Sequence, residues 1–203
     1  MLFRPRALLF DMDGVLIDSV DAWLAALNKA LTCKQYPPIP KKEFISKYWG
    51  HDLKDTLQLM NIPLSILDDC TLRYHEFIHQ AKTFPHTRET LKRLNHYPKA
   101  IITNTNKNLT EKLLKNLKLR SFFNVITTGD MVKQAKPDPA LVLKACDLLQ
   151  IPVEQTMLIG DTQSDVIAGK KAGCMVVGIK INADYTISDI SSLPSLLEKT
   201  SIR

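Results

Sequence analysis

Five short runs rich in apolar and β-branched residues punctuate the chain: Ala7–Asp11, Lys99–Thr103, Asn124–Thr127, Thr156–Gly160 and Met175–Ile179. Short apolar runs bounded by polar segments read as buried strands. Helical patterns separate the last four. Leu109, Leu113, Leu114 and Leu117 fall on one helical face. Asp138 reads as an N-cap with Pro139 at the first helical position, and Leu141, Ala145 and Leu148 continue that face. Ser164 reads as the cap of a third helix, which Gly173 ends at its C′ position. Strands alternating with helices predict an α/β chain with a parallel sheet covered on both faces and joined by right-handed crossovers.

The interval from Ser19 to about Lys82 has a different pattern and no clear strand. Val20, Trp23, Leu24, Leu27 and Leu31 predict an amphipathic helix, and Pro37-Pro38-Ile39-Pro40 then breaks the chain. Phe44, Ile45 and Tyr48 follow, then Gly50, and Leu53, Leu57 and Met60 form another apolar stripe. Ser65 reads as the cap of a last helix carrying Leu72, Phe77 and Ile78. This is the pattern of a small helical insert between the first and second strands, with hinges near Asp18-Ser19 and Thr83-Phe84-Pro85.

Composition narrows the class. A chain of 203 residues buries roughly 70% of the surface its unfolded form exposes, so it needs no disulfide or metal staple. With 45% hydrophobic and 24% charged residues, it is neither disordered nor fibrous nor a disulfide scaffold. No apolar run approaches the roughly 18 residues of a membrane span. The N-terminal stretch Ala7-Leu8-Leu9-Phe10 stops at Asp11, too early for a secretory signal, so a cytoplasmic location is expected. Cys33, Cys70, Cys146 and Cys174 form no C-x-x-C pair and read as buried free thiols of a reducing compartment. Cys70, His75 and His79 share one side of a predicted helix and read as an ordinary, partly exposed face. The net charge of +6 favours anionic partners, but Lys112, Lys115, Lys118 and Arg120 read as a solvated helix face. Without a basic run or interleaved aromatics, no nucleic-acid partner is expected.

Four polar elements lie at or between the ends of successive strands. The first is Asp11-Met12-Asp13-Gly14, where two carboxylates can reach one centre if the backbone turns at Gly14. By average residue usage such a motif occurs by chance in about one chain in twenty. Alone it reads equally as a solvated turn. The second in chain order is Thr103-Asn104-Thr105, whose hydroxyl, amide and backbone donors suit phosphate oxygens or simply cap a turn. Lys136-Pro137-Asp138-Pro139 places a lysine on a stiffened segment, and Gly160-Asp161-Thr162-Gln163-Ser164-Asp165 adds carboxylates past another strand. Ligands of open α/β sheets bind outside the carboxyl ends of the strands. Carboxylates converging there repel unless a cation neutralises them, and a hard divalent ion such as Mg²⁺ suits that arrangement.

FDMDGVLIDS, ITNT, KPDP and IGDTQSD stand in the order found in the haloacid dehalogenase superfamily of phosphohydrolases, which the chain therefore resembles. The segments VITTGDMVKQAKPDPALVLKACDLL and MLIGDTQSDVIAGKKAGCMVVGI are similar to the subgroup of phosphoglycolate phosphatases and β-phosphoglucomutases. The resemblance implies a Rossmann-like three-layer parallel-sheet core over residues 1–18 and 84–203, with an inserted all-helical cap domain over residues 19–83. It implies a nucleophile at Asp11, a general acid/base at Asp13, and Thr103, Asn104 and Lys136 around the transferring phosphoryl group. Asp11, Asp13 (through its carbonyl) and Asp161 would hold Mg²⁺, with Asp165 in the outer shell orienting the metal or Lys136. His51, in the Trp49-Gly50-His51 turn, resembles the family's substrate-facing cap loop and reads equally as a surface turn.

The function so implied is Mg²⁺-dependent hydrolysis of a small phosphorylated metabolite, of the phosphoglycolate or sugar phosphate type, through an aspartyl-phosphate. A phosphomutase of the β-phosphoglucomutase kind and a non-catalytic binding protein that kept the fold are the alternatives. A cap that shields the site removes the need for a partner subunit, so a monomer with no membrane partner is expected. Two departures fall in connectors. Pro85-His86 stands where many subgroup members have Pro-Gly, and Asn95-His96-Tyr97-Pro98 stands where a Gly is common.

Overall fold

The structure, a computed structural model, describes residues 3–51 and 53–201. In chain order the elements are β1 (Ala7–Phe10), β2 (Ile17–Asp18), α1 (Val20–Cys33), α2 (Lys41–Glu43), α3 (Leu53–Leu59), α4 (Leu67–Phe77), β3 (Lys82–Thr83), α5 (Thr87–Arg93), β4 (Lys99–Thr103), α6 (Lys107–Asn116), β5 (Val125–Thr128), α7 (Ala140–Leu149), β6 (Thr156–Gly160), α8 (Gln163–Ala172), β7 (Met175–Ile179), β8 (Tyr185–Ile187) and α9 (Leu193–Ser201). The chain divides into two units, Met1–Leu16 with Thr83–Arg203, and Ile17–Lys82.

The first unit is built on a six-stranded parallel sheet in the order β5-β4-β1-β6-β7-β8. β1 is central, in register with both neighbours: Leu9 lies beside Ala100 and beside Leu158. A central parallel strand is covered on both faces, which is why Ala7–Phe10 is apolar without alternation. One face gathers Leu9, Ala100, Ile102, Leu158 and Val176 with Leu141, Val142 and Ala145 of α7 and Val166 and Ala168 of α8. Alternate residues point the other way, and the Phe10 ring meets Phe123 edge-on with centroids 6.0 Å apart. Each fully buried aliphatic side chain of this kind contributes about 1.5–3 kcal/mol.

In the second unit α1 packs on α4. Ala22, Ala26 and Ala30 repeat every fourth residue on the buried face of α1, with Leu27 and Leu31 beside them. Trp23 and Tyr74 stack at a tilt with centroids 4.1 Å apart. Asn28 fixes the segment after α1: Nδ2 donates to the Ile39 carbonyl (2.9 Å) and Oδ1 accepts the Ile39 N–H (2.7 Å).

The structure departs from the sequence expectations at several points. A sixth parallel strand, β8, carries only three residues and too short a pattern to read. Val125–Thr128 starts one residue later than expected. Thr162, not Ser164, caps α8: its hydroxyl and the Asp165 carboxylate form a reciprocal capping box, and Ser164 lies inside the first turn. Ser65 caps nothing, since α4 begins at Leu67 without a side-chain cap. Leu72 is 66% exposed, because α4 buries Cys70 and Tyr74 instead. Cys33 is exposed, whereas the other three cysteines are buried. α7 starts at Ala140, one residue beyond Pro139, although Asp138 Oδ1 still accepts the Ala140 N–H (3.0 Å).

Candidate active site

The carboxyl ends of β1, β4 and β6 lie side by side, and the chemistry-bearing residues follow directly from them. Asp11 is the first residue after β1, Thr103 the last of β4, and Asp161 the first after β6. Strand register sets this convergence: Phe10 is level with Ile101 and with Ile159.

Lys136 ties the group together. Its ammonium donates to Asp11 Oδ1 (2.7 Å), Asp165 Oδ1 (2.6 Å) and the Ile102 carbonyl (3.1 Å). All three charged groups are buried, with 4% of the Lys136 side chain and 0% of Asp165 exposed. Asp165 is held in turn through Oδ2, which accepts from the Thr162 N–H (3.1 Å) and hydroxyl (2.7 Å). The capping box of α8 therefore also orients an acid of the site.

Thr103 Oγ1 accepts the Thr105 N–H (3.1 Å), and the Thr105 hydroxyl donates to Asp13 Oδ2 (3.1 Å). The Asn104 side chain pairs with the Lys136 backbone: Nδ2 donates to the carbonyl and Oδ1 accepts the N–H, both at 2.9 Å. Of the predicted residues, Asp11, Asp13, Thr103, Asn104, Lys136, Asp161 and Asp165 all lie in the first unit. His51 lies in the turn after Tyr48, exposed, in the second.

Charge decides what the cluster can hold. Asp11, Asp161 and Asp165 each offer a carboxylate oxygen, and these oxygens lie within 4.8 Å of one another. Three carboxylates share one ammonium, an excess of two negative charges that a divalent cation would balance. Two glycines make room for the carboxylates. A methyl group on Gly14 would lie 2.0 Å from Asp161 Oδ2, and one on Gly160 would lie 2.3 Å from Asp165 Cβ. The donor set thus fits Mg²⁺, a hard cation that takes oxygen ligands and is bound through one or two carboxylates. Asp165 spends both oxygens on Lys136 and Thr162, which points to Asp11 and Asp161 as the carboxylates to hold it.

Burial pushes the Asp11 carboxyl well above its ordinary value. Lys136 opposes the rise, while Asp165 and Asp161 add to it. For Lys136, burial works against the ammonium, yet Asp11 and Asp165 outweigh it and hold its pKa above the usual lysine range. The lysine is a fixed cation, not a proton carrier.

Sequence reasoning named Thr105 only as part of a candidate phosphate-binding turn and gave Thr162 no role of its own. Thr162 was readable, because Thr162-Gln163-Ser164-Asp165 is a threonine followed three residues later by an acid, the pattern of a helix N-terminus. Thr105 carries no such signal, since its bond to Asp13 spans 92 residues.

The model of the family described as haloacid dehalogenase-like hydrolase matches residues 8–179. The chain is 30% identical over 215 residues to the phosphoglycolate phosphatase of Aquifex aeolicus, covering 95% of this chain and 97% of that protein. It is 31% identical over 218 residues to the phosphoglycolate phosphatase of Neisseria meningitidis, covering 95% and 92%. The crystal structure of a hydrolase from Pseudomonas syringae superposes with a TM-score of 0.83 at 26% identity, over 96% of this chain and 98% of that one.

Proposed function

The chain belongs to the haloacid dehalogenase-like hydrolases and is a phosphatase of that family; from that premise we propose that it hydrolyses a small phosphorylated metabolite through an aspartyl-phosphate on Asp11, with Mg²⁺ bound. The observation that carries the reading is the Lys136 ammonium lodged between Asp11 and Asp165, with Asp161 alongside. A carboxylate at a strand end, with a fixed cation beside it to offset the charge of an incoming phosphoryl group, can serve as a nucleophile.

Asp11 attacks phosphorus through one carboxylate oxygen, displacing the leaving oxygen, while Lys136 steadies the carboxylate. Asp13 donates a proton to the leaving oxygen and then takes one from the water that attacks the acyl phosphate. The Thr105 hydroxyl holds Asp13 Oδ2 during both steps. Thr103 Oγ1 accepts from Thr105, so its own proton is directed elsewhere, and a phosphoryl oxygen is the acceptor we assign to it. Lys136 balances charge on the phosphoryl group, for phosphoryl transfer is mostly positioning and neutralisation. Mg²⁺, held by Asp11, Asp161 and the Asp13 carbonyl, would supply charge neutralisation at the phosphoryl oxygens.

The substrate class is phosphoglycolate or a sugar phosphate of similar size. Phosphoglycolate phosphatases that match along almost the whole chain support it. The helical unit Ile17–Lys82 is assigned the role of cap, and His51 that of a leaving-group contact. Phosphate release from a panel of phosphorylated metabolites, with Mg²⁺, with EDTA and with Asp11→Asn, tests the reading. Release that requires both Mg²⁺ and Asp11 is expected; release that survives Asp11→Asn overturns the mechanism.

A further inference from the structure

Asn104 follows the phosphate-facing Thr103, and its amide looks at first like another phosphate donor. The hydrogen bonds give it a different task. Nδ2 donates to the Lys136 carbonyl and Oδ1 accepts the Lys136 N–H, both at 2.9 Å. The reciprocal pairing settles which end of the amide is which, because a flipped amide would set donor against donor and acceptor against acceptor.

Lys136 needs such a hold. It lies between β5 and α7 in a stretch of turns and bends, so no strand or helix places it. Its side chain is long and gives up much rotamer freedom when held in one place. β4 and the residue next to it grip this lysine twice. The Ile102 carbonyl accepts from the ammonium (3.1 Å), and Asn104, two residues on, pins the backbone. Both ends of one side chain are thus referred to the same strand, and that strand also ends in Thr103.

The same device occurs elsewhere in the chain with no chemistry attached. Asn28 pairs with the N–H and carbonyl of Ile39 in the same reciprocal way, at 2.7 and 2.9 Å, and holds the proline-rich segment beside α1. In this molecule a paired asparagine amide fixes irregular backbone.

Resting on the phosphatase reading for the role of Lys136, we infer that Asn104 is a positioning residue: its side chain acts through Lys136 and does not bind the substrate phosphate. Loss of the amide leaves the Lys136 N–H and carbonyl without these partners and frees the ammonium from its aim between Asp11 and Asp165. Residues that orient a charged group of a site in this way are commonly worth about 10- to 100-fold in function.

The test is the ¹⁵N spectrum of lysine side chains in the free protein, without phosphate or Mg²⁺. The buried ammonium of Lys136 gives an exchange-protected Nζ signal, assigned by its loss in Lys136→Arg. In Asn104→Ala that signal is expected to vanish or shift, while the backbone spectrum away from the site stays as in the wild type. Turnover is expected to fall at least tenfold. Asn104→Asp keeps the acceptor for the Lys136 N–H and serves if Asn104→Ala does not fold. An unchanged Nζ signal overturns the inference, because a pure phosphate ligand leaves the free protein's lysine untouched. A lost signal with undiminished turnover overturns it too. A wild-type protein that releases no phosphate counts against the phosphatase reading, and the lysine spectrum still decides the clamp.

Discussion

Gly14 and Asp161 occupy nearly the same space: a methyl group on the Gly14 Cα would lie 2.0 Å from Asp161 Oδ2, and Gly14 sits at φ +86°. The turn after β1 can therefore close over the carboxylate after β6 only if residue 14 has no side chain. Gly14→Ala is expected to push Asp161 away, on top of a backbone strain of about 1–2 kcal/mol. The Mg²⁺ concentration for half-maximal turnover should rise about 10- to 100-fold. A metal titration of activity checks this, and an unchanged midpoint would remove Asp161 from the metal site.

Asp11 is worth more to chemistry than to folding. Burial and two neighbouring carboxylates raise its pKa, so the folded, cation-free protein disfavours the ionised form. An acid whose folded pKa is raised destabilises the fold as pH climbs from the unfolded value, 3.8, to the raised one, and fully above it. Asp11→Asn removes that penalty. In EDTA at neutral pH its Tm should equal or exceed that of the wild type, although it is inactive. Added Mg²⁺ should raise the wild-type Tm more than that of the variant. Scanning calorimetry of both proteins with and without metal checks the pair of outcomes.

Thiol reactivity should separate the four cysteines. Burial pushes Cys70 and Cys174 up to about 12 and raises Cys146 as well. Cys33 is exposed at the end of α1. Because the thiolate is the reacting species, native protein treated briefly with iodoacetamide should gain one adduct, on Cys33. Peptide mapping reads the site, and rapid labelling of Cys174 would mean that the α8–β7 packing opens easily.

His86 adopts a left-handed conformation, φ 63° and ψ −1°, just before α5. A side chain there costs about 1–2 kcal/mol, and glycine gives back roughly 0.5–1 kcal/mol through its greater unfolded freedom. The exposed contact to Glu89, at 3.5 Å, contributes little. His86→Gly is thus expected to stabilise by about 0.5–1 kcal/mol, a Tm rise of about 1–4 °C. Thermal unfolding checks it, and a fall in Tm would show that His86 makes contacts worth more than its strain.

The chain alone was enough for the central strands, because a strand covered on both faces is mostly apolar and the runs at Ala7, Lys99, Thr156 and Met175 are, whereas β8 was too short to read. It also carried Asp11, Asp13, Thr103, Lys136 and Asp161 as candidate site residues, since each stands at or just past a strand end or on a proline-stiffened loop whose composition shows locally. What the chain did not carry is which donor meets which acceptor. Asn104 reads in sequence as a phosphate ligand because its amide is polar and well placed, and only the fold shows that amide committed to Lys136, 32 residues away. Thr105 on Asp13 belongs to the same class, whereas Asp165 beside Lys136 was one of the two placements that the resemblance implied. Periodicity and caps arise within a few residues and leave a pattern in the chain. Long-range hydrogen bonds depend on strand order and register, which bring distant residues to one sheet edge, and tertiary structure alone decided them.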